Sequence, residues 1–348
     1  MGISKQIDIR SLTLNELKAN IEGIGEKAFR AKQIYEWLWQ KSCVDFDQMS
    51  NLSKDLREKL KAQYVINPVS IHSSQLSSDE TIKNAFKLYD SNIIEGVLIP
   101  TSNRMTACVS SQVGCSLSCK FCATGYMDRK RNVNADEIYD QVVLINRQAE
   151  ENYHKPLSNI VYMGMGEPLL NYSNVLKSID RITSPDGLNM SPKRITVSTA
   201  GIAKMIKKLG DDEVRFNLAL SLHAANDKKR NEIMPINEQN SLDALAEALK
   251  YYYAKTKNPV TYEYIVFNDF NDELIDAAEL AQFCKHVPCM VNIIEYNPIA
   301  FADYENAGAD KIDLFADFLR EKGINTRIRR SRGKDIDAAC GQLAVKEK

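Results

Sequence analysis

Apolar residues recur at helical spacing near the N-terminus: Leu14, Leu17, Ile21 and Ile24 lie three or four apart, interrupted by Gly23 and Gly25. Residues 26–39 carry a strongly amphipathic pattern whose apolar side is Phe29, Ile34, Trp37 and Leu38. Ser53 reads as the N-cap of another helix, carrying Leu56 and Leu60. Residues 67–110 change to period two. Thr81 to Tyr89, Ile93 to Ile99 and Met105 to Ser110 alternate between polar breaks, which predicts a small antiparallel ribbon. Glu95 falls inside the second run and reads as an outward-facing position. From 111 onward, strand patterns at 159–163, 194–198, 214–222, 260–266, 291–296 and 324–329 alternate with helical patterns at 135–149, 172–182, 201–209, 241–254, 272–284 and 310–322. Such alternation implies parallel βα units. Roughly six units are too few for a closed eightfold barrel, and ligands gather at the C-terminal ends of the strands.

The ribbon leads into three thiols, Cys115, Cys119 and Cys122, spaced C-x3-C-x2-C. Three thiolates cannot close a tetrahedral four-thiolate zinc site, and no His lies within thirty residues to complete one. Thiolates also hold iron–sulfur clusters, for which four cysteines are the usual closed set. Three ligands on a four-iron cluster leave one iron open to a small molecule, as a reactive metal site requires. Spacing alone leaves open a group of free or disulfide-bonded thiols.

Other strand ends carry polar residues on the same expected face. Met163 to Pro168 ends its strand with two glycines, Glu167 and Pro168, a turn that exposes backbone groups beside a carboxylate. Ser198, the triplet Ser221, Leu222 and His223, and Asn297 end three further strands. Taken singly, each is equally a helix cap or a satisfied polar residue. Near the C-terminus Arg327, Arg329, Arg330, Arg332 and Lys334 form a basic cluster, readable as a phosphate footprint or as a solvated strand edge. Cys340 follows in a small-residue turn, where nearby positive charge would lower its pKa and make it reactive. Cys43, Cys284 and Cys289 match no motif and read as buried small apolar residues.

Composition narrows the class. With 348 residues, 44% hydrophobic and 26% charged, the chain has room for a large domain and a smaller one. A net charge of −1 gives no global nucleic-acid signal, so any RNA contact needs a local basic patch. One candidate is the Gly-rich turn before Lys27, Arg30 and Lys32, which looks like a helix–hairpin–helix but is also readable as a plain turn. No apolar run reaches about 18 residues, and eight cysteines without a secretory signal fit a reducing cytosol.

Together, Cys108 to Cys115, Cys119 to Cys122, Gly164 to Leu169, Ser221 to His223, Met234 to Asn237 and Asp335 to Leu343 resemble the RlmN family within the radical S-adenosylmethionine (SAM) superfamily. Pro168 and the Ile99–Pro100 pair look more like RlmN than its relative Cfr. Gly96 and Ala225 depart from the usual Thr and Pro without removing a functional group.

The resemblance implies a radical SAM partial (βα)6 barrel with an N-terminal helical domain and a short β extension. The implied segments are a helical RNA-binding accessory domain at 1–66, a β connection at 67–107, the barrel core at 108–340 and a tail at 341–348. It implies methylation of adenine C2 in large-subunit ribosomal RNA and in the tRNA anticodon loop. Cys115, Cys119 and Cys122 would hold a 4Fe-4S cluster, and SAM would contact Phe121, Gly166, Glu167, Ser198, Ser221, Leu222, His223 and Asn297. Cys340 would carry the methyl as S-methylcysteine, Glu95 would take the C2 proton, and Cys108 would release the product through a transient disulfide. A cytoplasmic monomer served by a reductant such as a flavodoxin, with no membrane partner, completes the expectation. The competing readings are a Cfr-type C8 methyltransferase and a non-catalytic, metal-containing RNA-binding protein.

Overall fold

A capping box starts the first helix: Thr13 accepts from the Glu16 N–H, and the Glu16 carboxylate accepts from the Thr13 N–H. The computed structural model describes residues 6–345. Helix α1 (Leu14–Gly23) is followed by α2 (Phe29–Trp39) and α3 (Lys54–Gln63), the last capped by Ser53 as expected. Helix α2 buries Ala31, Ile34, Tyr35, Leu38 and Trp39. Phe29, expected on that apolar side, is 52% exposed. It stands at the first position of the helix, where no preceding turn flanks it.

Arg10 ties this helical part to the rest of the chain. Its buried guanidinium forks onto Asp140 at 2.8 and 2.9 Å and reaches Asp136 at 3.1 Å and the Asn67 carbonyl at 2.7 Å. Asp136 and Asp140 lie on helix α4 (Ala135–Tyr153), so one buried cation joins segments more than a hundred residues apart.

A ten-stranded sheet carries most of the remainder, its strands adjacent in sequence order. Strands β1 (Ser70–Leu76), β2 (Ile82–Lys87), β3 (Ile93–Thr101) and β4 (Arg104–Cys108) form an antiparallel meander. Strand β4 then pairs in parallel with β5 (Asn159–Tyr162). Strands β6 (Ile195–Thr199), β7 (Asn217–Ser221), β8 (Val260–Val266), β9 (Cys289–Glu295) and β10 (Asn325–Arg329) continue the parallel order. The crossovers are α4, α5 (Tyr172–Thr183), α6 (Ala203–Asp211), α7 (Asp227–Ile233) with α8 (Leu242–Thr256), α9 (Leu274–Phe283) and α10 (Ala309–Glu321). The result is six βα units and a closing strand, with β1 and β10 at the free edges: a partial barrel.

Three features differ from the pattern-based reading. The ribbon shares the barrel's sheet, and its last strand is the first of the parallel series. Strand β1 has no hydrophobic signal, because all seven of its residues are exposed along an edge. Glu95, read as outward-facing, is 7% exposed. Strand β3 is buried over most of its length, so neither of its faces is free to water. Among the described residues no helix is long and apolar enough to cross a membrane.

Candidate active site

Strand β4 ends at Cys108, and the chain that follows is laid against the end of β5. Val109 donates to the Val161 carbonyl, and the Ser111 and Gln112 N–H groups both donate to the Met165 carbonyl. This close approach needs the glycines of the β5 turn. A Cβ on Gly164 would stand 2.6 Å from Ser110 Oγ, and Gly166 has φ +92 with Gln112 2.4 Å from where its Cβ would be.

The turn delivers Glu167 into the barrel mouth. Its carboxylate is buried and accepts from the Leu169 N–H at 3.0 Å and the Ala200 N–H at 2.8 Å. Burial pushes its pKa up, and those two bonds oppose the shift. A hydrogen bond from the Thr199 side chain also opposes the rise.

Cys115, Cys119 and Cys122 line one cavity together with Phe121, Gly166, Glu167, Ser198, Ser221 and His223. Burial pushes the Cys115 thiol up to about 11 and raises Cys119 and Cys122 as well. For Cys119 the other two sulfurs add to the rise. Three thiolates so placed require positive charge from a bound group. Among the described residues, no three His, Cys, Asp or Glu side chains form a set that would hold a single metal ion. The thiols are instead shared round a cavity, as a polynuclear cluster requires.

Beneath this cavity lies Arg230, fully buried. It donates only to neutral oxygens: Ala200 O at 2.6 Å, Leu222 O at 3.0 Å, Ser221 O at 3.2 Å and Asn237 Oδ1 at 2.6 Å. These bonds staple the ends of β6 and β7. Among the described residues no carboxylate lies within ion-pair distance of this cation; Cys119 and then Asp227 are the charges that favour it. An anionic group in the cavity would complete its electrostatics. Donor chemistry, raised thiols and a buried cation without a directly paired carboxylate all fit an iron–sulfur cluster held by three cysteines.

Of the residues expected to contact SAM, Leu222 and Asn297 stand apart from the lining. Leu222 is wholly buried. Asn297 sits behind the cavity, with Nδ2 donating to the Cys340 carbonyl at 3.2 Å and a buried Oδ1 that has no partner. Ser198 and Ser221 face each other, hydroxyl to hydroxyl, at 3.2 Å.

A second cavity adjoins the first and shares Cys122, Met163, Gly164, Arg329 and Cys340 with it. Here the structure brings together Cys108 and Cys340, far apart in sequence. The Cys340 segment is held by Ala123 N–H to Gly341 O at 2.7 Å, Thr124 Oγ1 to Leu343 O at 2.6 Å and Gln342 Nε2 to Pro298 O at 3.1 Å. Burial pushes Cys108 up to about 12. Cys340 is also raised, against the reading that basic neighbours lower it; desolvation outweighs the attraction of Arg329.

The basic cluster is largely neutralised. Arg329 faces the buried Glu263 at 3.4 Å, Arg330 and Lys334 share Glu295 at 2.5 and 2.8 Å, and Arg332 pairs with Asp79 at 3.3 Å. Glu95 lines neither cavity. Its strand register places it two residues from Val97, which stands opposite Cys108, so alternation keeps it on the same face of the sheet. Lys83 lies 3.6 Å from one of its oxygens; the other is buried without a partner. Burial raises its pKa, opposed by Lys83 and by a hydrogen bond from the Ala344 backbone.

Residues 7–66 match the sequence profile of the ribosomal RNA large subunit methyltransferase N-terminal domain, and residues 109–281 match that of the radical SAM superfamily. A relative from Cytophaga hutchinsonii, "Probable dual-specificity RNA methyltransferase RlmN", is 63% identical over 97% of this chain and 93% of the relative. A Flavobacterium psychrophilum relative of the same name is 54% identical over 100% of both chains. The crystal structure of a radical SAM methyltransferase from Sphaerobacter thermophilus matches with a TM-score of 0.91 at 38% identity, covering 97% of this chain and 99% of that one. The chain belongs to the RlmN family.

As an RlmN-family enzyme within the radical SAM superfamily, it uses a 4Fe-4S cluster and SAM. Sequence reading missed two buried residues of this RlmN site. Glu263 had a signal, a carboxylate inside an otherwise apolar strand. Arg230 had none, since it lies in a Lys-Lys-Arg-Asn run that reads as a solvated helix face.

His223 carries a pH prediction. Its Nδ1 accepts from the Ile265 N–H at 3.1 Å, so the neutral ring holds its proton on Nε2. Burial, reinforced by the Arg230 charge, pushes its pKa down to about 3 from 6.5. Between those values the unfolded chain binds the extra proton. The stability contributed by His223 is therefore complete above about pH 6.5 and is lost as pH falls toward 3. In the cofactor-free protein, urea unfolding from about pH 4.5 to about pH 6.5 should show a rise in stability that flattens in His223→Gln. An equal slope in both proteins would refute this.

Proposed function

We propose that this enzyme methylates C2 of an adenine in large-subunit ribosomal RNA and of an adenine in the tRNA anticodon loop, using Cys340 as the carrier of the methyl group. The observation that carries the reading is the meeting of Cys108 and Cys340 in a cavity that opens onto the three-thiol cavity. Adenine C2 is not nucleophilic enough to attack a methylsulfonium, so a sulfur carrier beside a radical source answers a chemical need. When bound by Cys115, Cys119 and Cys122, the cluster supplies one-electron chemistry to SAM.

The side chains have separable tasks. The SAM pocket is formed by Phe121, Gly166, Glu167, Ser198, Ser221 and His223, closed by Leu222 and Asn297. Cys340 sulfur attacks the methyl carbon of one SAM, forming a sulfur–carbon bond as the sulfonium–carbon bond breaks and S-adenosylhomocysteine leaves. Arg329 favours the thiolate that this attack needs. To join C2 that methyl must lose one hydrogen atom, which the one-electron chemistry of a second SAM would take up, and the adduct one electron, which the cluster would take back; Glu95 accepts the C2 proton, and burial makes its carboxylate a stronger base. Cys108 then attacks the Cys340 sulfur. A disulfide forms, the sulfur–carbon bond breaks with its electron pair going to carbon, and that carbon takes up a proton. An external dithiol returns two electrons to the disulfide, and a flavodoxin-like donor serves the cluster.

Anaerobic reaction on ribosomal RNA and tRNA, followed by nuclease digestion and mass spectrometry, should yield 2-methyladenosine. Recovery of 8-methyladenosine would move the reading to the Cfr type. A reduced, cluster-loaded preparation that cleaves no SAM would overturn it.

A further inference from the structure

We propose that Tyr126 and Phe301 form a platform on which an unpaired base of the substrate RNA stacks at the rim of the site; this rests on the RNA methyltransferase reading above. The two rings lie 5.2 Å apart, inclined by 28°, in a stacked arrangement. They are 48% and 60% exposed, so a large apolar face stays in water with nothing in the described chain covering it. Tyr126 ends the short turn Ala123–Tyr126 that follows Cys122, and its hydroxyl donates to the Lys120 carbonyl at 3.0 Å. Phe301 lies in the loop after Asn297.

The same two loops grip the Cys340 segment, through Ala123 to Gly341 O at 2.7 Å and Gln342 to Pro298 O at 3.1 Å. The platform is therefore tied to the reactive sulfur by short, direct connections. A groove lined by Met127, Ile299 and Val345 continues from the rings.

Charge favours RNA as the occupant. Lys120, Arg129 and Lys130 are exposed on the same cysteine loop. Arg129 donates to the neutral Asn132 Oδ1 at 3.2 Å, and no described carboxylate pairs with any of the three. The C-terminal arginines, by contrast, are largely occupied by Glu263, Glu295 and Asp79. Unpaired cations beside exposed stacked aromatics are the means by which proteins hold splayed-out bases. Asp128 and Asp303 on these loops are exposed as well. That argues for recognition of a base face over a purely electrostatic phosphate track.

The test is anisotropy titration of fluorescein-labelled tRNA with the cluster-loaded full chain, each variant's fold being checked by its cluster absorbance. Stacking on one base contributes about 1–3 kcal/mol, so Tyr126→Ala and Phe301→Ala should each raise Kd by roughly 5- to 150-fold, while Tyr126→Phe and Phe301→Trp keep it near the wild-type value. Wild-type Kd in both alanine variants overturns the platform. Equal losses in the alanine and the conservative aromatic variants also overturn it, since stacking requires only the ring. Absence of RNA binding and methylation by the wild-type enzyme would defeat the underlying reading, and the platform with it.

Discussion

Cys340→Ala is expected to abolish methyl transfer to RNA, with a loss on the order of 10⁴-fold or more, as for removal of a covalent nucleophile. The magnitude follows from the lack of a substitute. Of the five thiols that line the two cavities, three form the C-x3-C-x2-C set proposed to hold the cluster and Cys108 is buried, which leaves Cys340, the exposed residue among them. Adenine C2 cannot take a methyl from SAM directly, so without the carrier the one-carbon unit has no path to RNA. The Cys340 side chain is not one of the three thiols proposed to hold the cluster. Reduction-dependent SAM cleavage should therefore remain measurable in the variant, separating loss of the carrier from loss of the cofactor. Labelled methyl still reaching RNA would sink the assignment.

Cys108→Ala should convert turnover into a dead end. The variant keeps Cys340 and the cluster ligands, so carbon joins RNA but the sulfur–carbon bond is not broken. A covalent RNA–protein species should accumulate and appear as an RNA-linked band on a denaturing gel, absent from wild type and from the Cys108→Ala, Cys340→Ala double variant. Burial pushes the Cys108 thiol up to about 12, so it must give up its proton before it can attack the Cys340 sulfur. No band in the single variant would mean that another group releases the product.

Much of this site was legible along the chain because it is encoded over short distances. The spacing of Cys115, Cys119 and Cys122 brings three thiols into one loop. Periods of two and 3.6 residues report which face of a strand or helix is apolar. A polar residue after the last apolar position of a strand lies on the ligand face of an α/β sheet. Those local rules located the turn at Gly166 and Glu167 and the strand ends at Ser198, Ser221 and His223.

What they could not decide were the matters set by distant partners. Strand β1 exists because β2 offers it hydrogen bonds, and its exposed side chains leave no hydrophobic trace. Glu95 is buried because sheet and C-terminal segment enclose it. The arginines at and after the end of β10 look like a phosphate footprint until Glu263, Glu295 and Asp79 arrive from other strands and turns to pair with them. Arg230 reads as a surface cation until three strand-end carbonyls and Asn237 close around it. The sequence by itself determined which chemical groups this protein carries and the faces on which they stand. Only the tertiary structure decided which charges are compensated and which thiols meet, because desolvation and Coulomb energy depend on distances in space rather than along the chain.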